Sequence, residues 1–191
     1  MLVGLTGCKG VGKNTAASFL DGYTQMAFAD KLKEAVANLF DIPIEEMHYF
    51  KNYAMVECDV QGESSYQLIL TGRDFLQRFG TEMGRDTFGE KFWVEQWATQ
   101  YDILSMTNSD AAKKIVVTDV RFHNEASRII WYGGHIIEIT RPGCEPDGHA
   151  SEDGIPDDLI DATVHNDGTV DDFRRKFLAV VEGLSVGVVS G

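Results

Sequence analysis

The sequence predicts an α/β fold in which five parallel strands form one sheet with helices on both faces. Apolar, β-branched runs alternate along the chain with segments whose apolar residues recur at helical spacing, as is typical of a doubly wound parallel sheet. We interpret the 191 residues as a single domain, because a chain of this length is short for two well-packed domains. The strands are expected at residues 2–6, 25–28, 115–119, 135–139 and 162–165.

The first strand leads into a glycine-rich loop that indicates a nucleotide phosphate site. Residues 7–15 read GCKGVGKNT and match the pattern G-x-x-x-x-G-K between a strand and a helix. In such loops the backbone N–H groups and the helix N-terminus surround the phosphates, and the lysine, here Lys13, reaches the β- and γ-phosphates. The alternative is a glycine-rich turn that binds nothing. A P-loop NTPase fold is therefore predicted, in which Gly10, Val11, Gly12, Lys13, Asn14 and Thr15 surround a nucleotide phosphate.

One position of this loop departs from the pattern. The residue after the lysine is normally Ser or Thr, whose hydroxyl holds Mg²⁺, whereas this chain has Asn14 followed by Thr15. Either the Asn14 amide oxygen orients a metal-bound water or Thr15 takes over the contact, and the sequence leaves both open. We expect Mg²⁺ as cofactor, with Thr15 and Asp119 as metal ligands, directly or through water.

Asp119 ends the clearest strand pattern of the chain, IVVTD at residues 115–119. Ligands of parallel sheets bind at the carboxyl ends of the strands, so its carboxylate is expected beside the phosphate loop. There it can hold Mg²⁺ or its waters, or it can cap the next helix, and the two roles are compatible. Asp30, Arg121 and Arg141 also follow predicted strands. Their convergence at one edge predicts a catalytic cleft rather than a lone nucleotide site.

Residues 41–70 are expected to form a loop and helical insertion on the acceptor side. A short helix is predicted at residues 44–52, and residues 53–66, which show no clear period, are expected to be a loop over the cleft. The segment DVQG at residues 59–62 resembles the D-x-x-G of GTPase switches, but four residues match easily by chance and the chain has no N-K-x-D motif. The helix before this insertion is expected to place four apolar residues on one face, namely Leu32, Val36, Leu39 and Phe40.

Two helices are predicted between the insertion and the third strand. Residues 71–86 begin as an amphipathic helix that glycines interrupt. Arg73 and Gln77 lie four residues apart on it, so both can reach one ligand. Residues 90–104 carry an aromatic stripe, which is more typical of a core than of a ligand platform. The last helix of the chain is expected to open with a capping box and to bury Val170, Phe173, Phe177 and Val181.

The composition argues against several function classes. A net charge of −13 disfavours a nucleic-acid partner, because such proteins concentrate positive charge. No apolar run is long enough to cross a membrane, and the strand at the start leaves no room for a signal peptide, so we expect no membrane partner and a cytoplasmic location. Cys8, Cys58 and Cys144 are widely spaced and suggest neither a disulfide framework nor a zinc site. A homodimer is left open.

Six sets of segments, spread from one end of the chain to the other, occur in the order found in one enzyme family. They are residues 7–15; 76–81 with 92–94; 117–121 with 124–125; 140–143; 149–152; and 165–169. Together they resemble the deoxynucleoside monophosphate kinases of T-even-type bacteriophages. The resemblance implies a nucleoside-monophosphate-kinase-like fold and transfer of the γ-phosphoryl of ATP to a deoxynucleoside monophosphate (dNMP), for phage DNA precursor synthesis in the host cytoplasm. The partners it implies are the small molecules ATP and dNMP.

The resemblance also implies roles for individual residues. Lys9 and Lys13 would serve the donor phosphates, while Lys33, Arg73, Thr81 and Trp93 resemble positions that hold the monophosphate. Asp30, as a metal or acceptor-orienting group, and Gln77, beside Arg73, complete the predicted dNMP site. The chain departs from the family at Asn14, at residues 30–32, and in a shorter segment at residues 53–70.

The predicted catalytic residues are Lys13, Asp119, Arg121 and Arg141. The two arginines are candidates for transition-state contacts, because a guanidinium matches phosphoryl oxygens bidentately and is worth on the order of 10³ or more in rate. A lid-like loop at residues 140–154 would close and exclude water.

Two rival functions remain open. Another small-molecule kinase on the same fold, such as a dephospho-coenzyme A kinase or a ribonucleotide kinase, is the first. The second is a nucleotide-binding regulator without transferase activity. Arg73, Arg121 and Arg141 argue against the regulator, since they are more cations than an ATP donor needs.

Overall fold

The computed structural model describes residues 1–60, 66–107, 110, 113–144 and 154–187. The chain divides into two compact units. The sheet unit consists of Met1–Phe28 and the chain from Trp97 onward, and the hairpin unit consists of Ala29–Gln96. The single-domain assignment stays a prediction. Among the described residues, no helix combines the length and the apolar character that a membrane span requires.

The described helices and strands alternate along most of the chain. In order they are β1 (Leu2–Thr6), α1 (Lys13–Ser18), β2 (Thr24–Met26), α2 (Asp30–Leu39), a 3₁₀ turn (Ile44–Glu46), α3 (Met47–Tyr53), β3 (Met55–Val60), β4 (Tyr66–Thr71), α4 (Gly72–Arg78), a π-helical segment (Phe79–Asp86), α5 (Phe92–Thr107), β5 (Ile115–Val117), α6 (His123–Trp131), β6 (His135–Thr140), a second 3₁₀ turn (Asp157–Leu159), β7 (Ala162–His165) and α7 (Val170–Ser185).

The sheet unit contains the predicted five-stranded parallel sheet. Its strand order is β2-β5-β1-β6-β7, and every neighbouring pair is parallel. β5 ends at Val117, two residues earlier than predicted. Beyond it, the Thr118 N–H donates to Met26 O at 3.2 Å and the Val120 N–H donates to Leu5 O at 3.2 Å. The chain is therefore still tied to both neighbouring strands as it leaves the sheet.

Helices cover both faces of this sheet, as predicted. On one face the fully buried side chains of Val3 and Leu5 belong to a core cluster with Phe173 and Phe177 of α7. On the other face a Cβ added at Gly4 would lie 2.7 Å from Ile129 Cδ1 of α6. Glycine in the central strand thus allows α6 to pack directly against the backbone.

Two residues that the helical pattern assigned to the core are exposed. Val170 is 64% exposed, because it is the first residue of α7 and the covered part of that helix begins one turn later, at Phe173. Leu39 is 59% exposed at the end of α2, whose buried residues are Val36 and Ala37. At about 100° per residue, Leu39 lies about 110° around the helix from the midpoint of these two buried residues and so outside the buried face, and the prediction of its burial is wrong.

The hairpin unit contains an antiparallel hairpin where a loop was predicted. β3 and β4 pair from Met55 with Thr71 to Val60 with Tyr66. Val56 and Leu70 are buried, whereas Ile69 is 53% exposed, which is the alternation of a half-buried strand pair. The loop prediction is wrong for the two strands, because the apolar residues Met55 and Ile69 occupy exposed positions and obscure the alternation. Residues 61–65 lie outside the described residues.

The glycines after α4 widen the helix instead of interrupting it, so the predicted interruption is wrong. The π-helical segment Phe79–Asp86 continues directly from α4. Its two glycines, Gly80 and Gly84, are buried. A Cβ at Gly84 would lie 2.3 Å from Trp93 Nε1. Glycine is thus required where the Trp93 ring packs against this segment.

Candidate active site

The predicted phosphate loop connects β1 to α1 at the carboxyl edge of the sheet. Gly7, Gly10 and Gly12 have φ angles of +123°, +85° and +110°, which L side chains rarely adopt. A Cβ at Gly7 would lie 2.1 Å from the carbonyl oxygen of Ile139. A Cβ at Gly12 would lie 2.8 Å from Asn166 Nδ2. Both the backbone angles and the close approach of neighbouring groups therefore require glycine in this loop.

The Lys13 side chain folds back over the same loop and is half-buried. Its Nζ donates to the carbonyl oxygens of Gly7 and Cys8, the second at 2.9 Å. These carbonyls hold an ammonium group at the loop. Phosphate oxygens are stronger acceptors for it than neutral carbonyls, because both partners of the hydrogen bond are then charged.

The other predicted ATP-binding residues differ in exposure. Lys9, Gly10, Asn14 and Thr15 are exposed, whereas Val11 is buried in the core with 1% of its surface exposed. The helix that follows is α1, Lys13–Ser18.

Asp119 links the ends of two neighbouring strands. Its Oδ1 accepts the backbone N–H of Phe28 at 2.8 Å, and the side chain is half-buried. The described residues contain no group of three or more His, Cys, Asp and Glu that could hold a metal ion. The predicted donor oxygens of Thr15 and Asp119 nevertheless fit Mg²⁺, which takes one or two protein oxygens and completes its shell with phosphate oxygens and water.

A buried carboxylate positions the backbone that carries Arg121. Glu125 is 3% exposed, and its Oε2 accepts the N–H of Arg121 at 2.7 Å and that of Phe122 at 3.1 Å. A buried carboxylate needs such partners, so this arrangement fixes the turn between β5 and α6. No role of its own was predicted for Glu125. The available signal was a glutamate in the first turn of a predicted helix.

The backbone after β6 turns at Arg141. The Cys144 N–H donates to Arg141 O at 3.2 Å, and Gly143 has a φ of +77°. The Arg141 side chain is exposed. Residues 145–153, which include most of the predicted lid and the 149–152 segment, lie outside the described residues.

Asn166, the residue after β7, contacts the phosphate loop directly. Its Nδ2 donates to the carbonyl oxygen of Val11 at 2.8 Å, which joins two segments that lie 155 residues apart. Sequence reasoning did not assign this residue to the site. The available signal was its place in the 165–169 segment, which carries the family resemblance but does not indicate a contact 155 residues away along the chain.

In the hairpin unit, the predicted acceptor residues lie on two helical runs. On α2, Lys33 Nζ lies 3.1 Å from Asp30 Oδ1, one turn away, with both side chains partly exposed. On α4, Arg73 Nη2 donates to Asn52 Oδ1 at 3.5 Å, and Gln77 is exposed one turn further on. Arg73 and Gln77 thus lie one turn apart on one helix, as predicted.

Two further predicted acceptor residues have different surroundings. Thr81 is exposed on the π-helical segment. Trp93 is 8% exposed, and its indole N–H donates to Gly80 O at 2.8 Å. Since this bond uses the polar atom of Trp93, the residue holds the glycine segment as part of the core, in keeping with the aromatic stripe. A ligand role for Trp93 stays a prediction.

The P-loop class of phosphate-binding α/β proteins is defined by two features that this structure has. One is a glycine loop with its lysine between a parallel strand and a helix, and the other is an aspartate after a neighbouring strand. A profile of the family described as deoxynucleotide monophosphate kinase matches residues 47–177. The chain belongs to this deoxynucleotide monophosphate kinase family. It is a phosphotransferase with ATP as co-substrate and small-molecule nucleotides as substrates.

Individual proteins are also similar to this chain. A protein of Acanthamoeba polyphaga mimivirus, provisionally described as a deoxynucleotide monophosphate kinase, is 32% identical over 97% of this chain and 98% of its own length. The deoxynucleotide monophosphate kinases of Escherichia phage RB69 and Enterobacteria phage T4 are each 30% identical over 54% of this chain and 42% of their length. The dephospho-CoA kinase of Campylobacter jejuni is similar in structure, with a TM-score of 0.48, 17% identity and coverage of 97% and 96% of the two chains.

Proposed function

We propose that this protein transfers the γ-phosphoryl group of ATP to a deoxynucleoside monophosphate and releases ADP and a deoxynucleoside diphosphate, a DNA precursor. The observation that carries this proposal is the family match over residues 47–177. That range covers most of the hairpin unit, which contains the predicted acceptor residues, and much of the sheet unit. The phosphate loop at residues 7–15 lies outside the range, so its geometry supports ATP binding independently.

The donor half of the reaction belongs to the phosphate loop. The backbone N–H groups of residues 10–15 and the ammonium groups of Lys9 and Lys13 would bind the β- and γ-phosphates. Lys13 would exchange its bonds to the Gly7 and Cys8 carbonyls for phosphate oxygens. Mg²⁺, when bound by Thr15 and Asp119 directly or through water, supplies charge neutralisation on those phosphates.

The chemistry requires positioning and charge stabilisation more than proton transfer. The attacking acceptor oxygen belongs to a phosphate that is already anionic near neutral pH, so no strong general base is needed. A bond forms between this oxygen and the γ-phosphorus while the bond to the bridging oxygen of ADP breaks. Arg121 and Arg141 would contact the transferring group, and Glu125 keeps the Arg121 backbone in place.

The acceptor half belongs to the hairpin unit. Arg73 would bind the monophosphate bidentately, with Gln77 and Thr81 along the same helical run. Lys33 is the second cation, and its partner Asp30 would orient the acceptor once phosphate replaces it at the ammonium group. Trp93 would act mainly by shaping the Gly80–Gly84 segment.

An acceptor panel tests this function. ADP release is followed with ATP, Mg²⁺ and, in separate reactions, each of the four common dNMPs, the ribonucleoside monophosphates and dephospho-coenzyme A. We expect turnover with one or more dNMPs. Turnover with dephospho-coenzyme A alone would establish the rival kinase, and turnover with none would contradict a transferase.

A pair of variants on one helix tests the acceptor site. Arg73→Ala is expected to raise the KM for dNMP by about tenfold or more, because a charge-assisted phosphate contact is lost, while the KM for ATP changes by less than about twofold. Arg78→Ala is the matched control, since Arg78 is half-exposed on the same helix and lies 3.9 Å from Glu82. Equal losses for both substrates in Arg73→Ala would move Arg73 out of the acceptor site.

A further inference from the structure

We propose that Asn166 is a positioning residue that holds the phosphate loop in its ATP-binding conformation. This inference rests on the proposed ATP-binding role of the loop. The side-chain amide of Asn166 donates from Nδ2 to the carbonyl oxygen of Val11 at 2.8 Å. Val11 lies between Gly10 and Gly12, where the loop turns toward the nucleotide phosphates.

The loop needs an external support at this point. Gly10 and Gly12 flank Val11, and both have positive φ angles, so the chain here has more conformations to lose than an ordinary segment. Gly12 is also the N-cap of α1 and forms no side-chain cap. The Val11 side chain is anchored in the core at 1% exposure, and the bond from Asn166 anchors its carbonyl group. Together the two contacts fix the orientation of this peptide group.

Asn166 is itself well placed to act as a brace. Its backbone N–H donates to Thr140 O at 2.8 Å, which continues the pairing of β7 with β6 beyond the end of the strand. The side chain is half-buried and packs so closely that a Cβ at Gly12 would meet Nδ2 at 2.8 Å. The loop is thereby tied to the rigid edge of the sheet.

Loss of this bond is expected to lower the fraction of loops that are competent to bind. Because apparent affinity falls in proportion to that fraction, Asn166→Ala should weaken binding of a non-hydrolysable ATP analogue with Mg²⁺ by about five- to tenfold. The KM for dNMP should stay within about twofold, since the acceptor residues lie in the other unit. Asn166→Gln, which keeps an amide donor, should recover part of the affinity.

Asp161→Ala is the matched control for a loss of stability alone. Asp161 Oδ2 accepts the Ile136 N–H at 2.8 Å, a comparable side-chain bond to the backbone at the opposite edge of the same sheet. We expect this variant to melt at a lower temperature and to bind the analogue with unchanged affinity. Should Asn166→Ala fail to fold, Asn166→Asp keeps the shape of the side chain but lacks the N–H donor. Its affinity for the ATP analogue should stay low at high salt, where repulsion between the added carboxylate and the phosphates is screened.

Direct titration of the full chain with the ATP analogue, without acceptor, is the decisive measurement. Affinity in Asn166→Ala within about twofold of the wild type would overturn the inference, and so would an equal loss in Asp161→Ala. A wild-type chain that binds no ATP analogue would overturn the proposed function and this inference with it. Binding without transfer to any dNMP would overturn only the proposed acceptor.

Discussion

Gly7 offers the sharpest test of the loop geometry, through the substitution Gly7→Ala. The residue has a φ of +123°, and an added Cβ would lie 2.1 Å from the carbonyl oxygen of Ile139 in β6. Contacts shorter than 3.0 Å are essentially absent for real Cβ atoms, and the obstructing atom here belongs to a strand backbone. The loop must therefore move away from the sheet to accept a methyl group.

The cost can be worked out from these two observations. A non-glycine residue at positive φ costs roughly 1–2 kcal/mol, and displacing packed backbone costs about 1–3 kcal/mol more. The sum is about 2–5 kcal/mol in the free energy of unfolding, which lowers Tm by roughly 5–15 °C in a chain of this size. ATP affinity should fall as well, because a displaced loop no longer presents its backbone N–H groups to the phosphates in the same arrangement.

Gly22→Ala is the matched control in the same unit. Gly22 also has a positive φ, +74°, but a Cβ there meets nothing within 4 Å. Its cost should be the conformational part alone, about 1 kcal/mol, with ATP affinity unchanged. Urea unfolding gives both stabilities, and titration with an ATP analogue gives both affinities. Equal destabilisation of the two variants would refute the close approach between the loop and β6.

Three further predictions address the reaction, the hairpin unit and the pH dependence. Lys13→Ala should lower the transfer rate by about 10²-fold or more with Tm nearly unchanged, and a near-normal rate in the acceptor panel would exclude Lys13 from the mechanism. Trp93→Phe should lower the free energy of unfolding by about 2 kcal/mol in urea, since Gly80 O loses a buried donor, while the control Trp131→Phe at 73% exposure should cost less than about 0.5 kcal/mol. Burial and, to a smaller extent, the hydrogen bond to Asp102 raise the pKa of Tyr132 to about 12. Because the unfolded chain ionises at lower pH than the folded protein, the neutral Tyr132 contributes to the free energy of unfolding. This contribution is present below pH 10 and lost as pH rises through 12. The loss should be about 1 kcal/mol after screening by solvent and should be absent from Tyr132→Phe, and identical pH profiles of Tm for the two proteins would contradict it.

Local patterns were sufficient wherever one segment carries its own structural signal. The glycine loop, Lys13 and the strand before it lie within residues 2–15, so the site could be predicted without knowing the fold. The Thr169 hydroxyl accepts the Asp172 N–H at 3.2 Å, as its spacing in the capping box predicts. The apolar runs of β1 and β5 also sufficed, because strands buried on both faces need no alternation.

Prediction failed where packing by distant residues decides the outcome. In β3 and β4, burial of Val56 and Leu70 depends on the partner strand and not on local composition. The π-helical winding at Gly80 and Gly84 depends on Trp93, which approaches from a later helix. Leu39 had the right residue type for a core, yet the face that α2 buries is set by what packs against it.

The sequence by itself determined the α/β class, the phosphate loop and the family, because each depends on residue patterns within short segments of the chain. Only the tertiary structure revealed which groups hold those segments in place. Asn166 reaches Val11 across 155 residues, and Glu125 holds the N–H groups of Arg121 and Phe122. Such contacts form because the parallel sheet brings the carboxyl ends of distant strands to one edge, a proximity that no local pattern encodes.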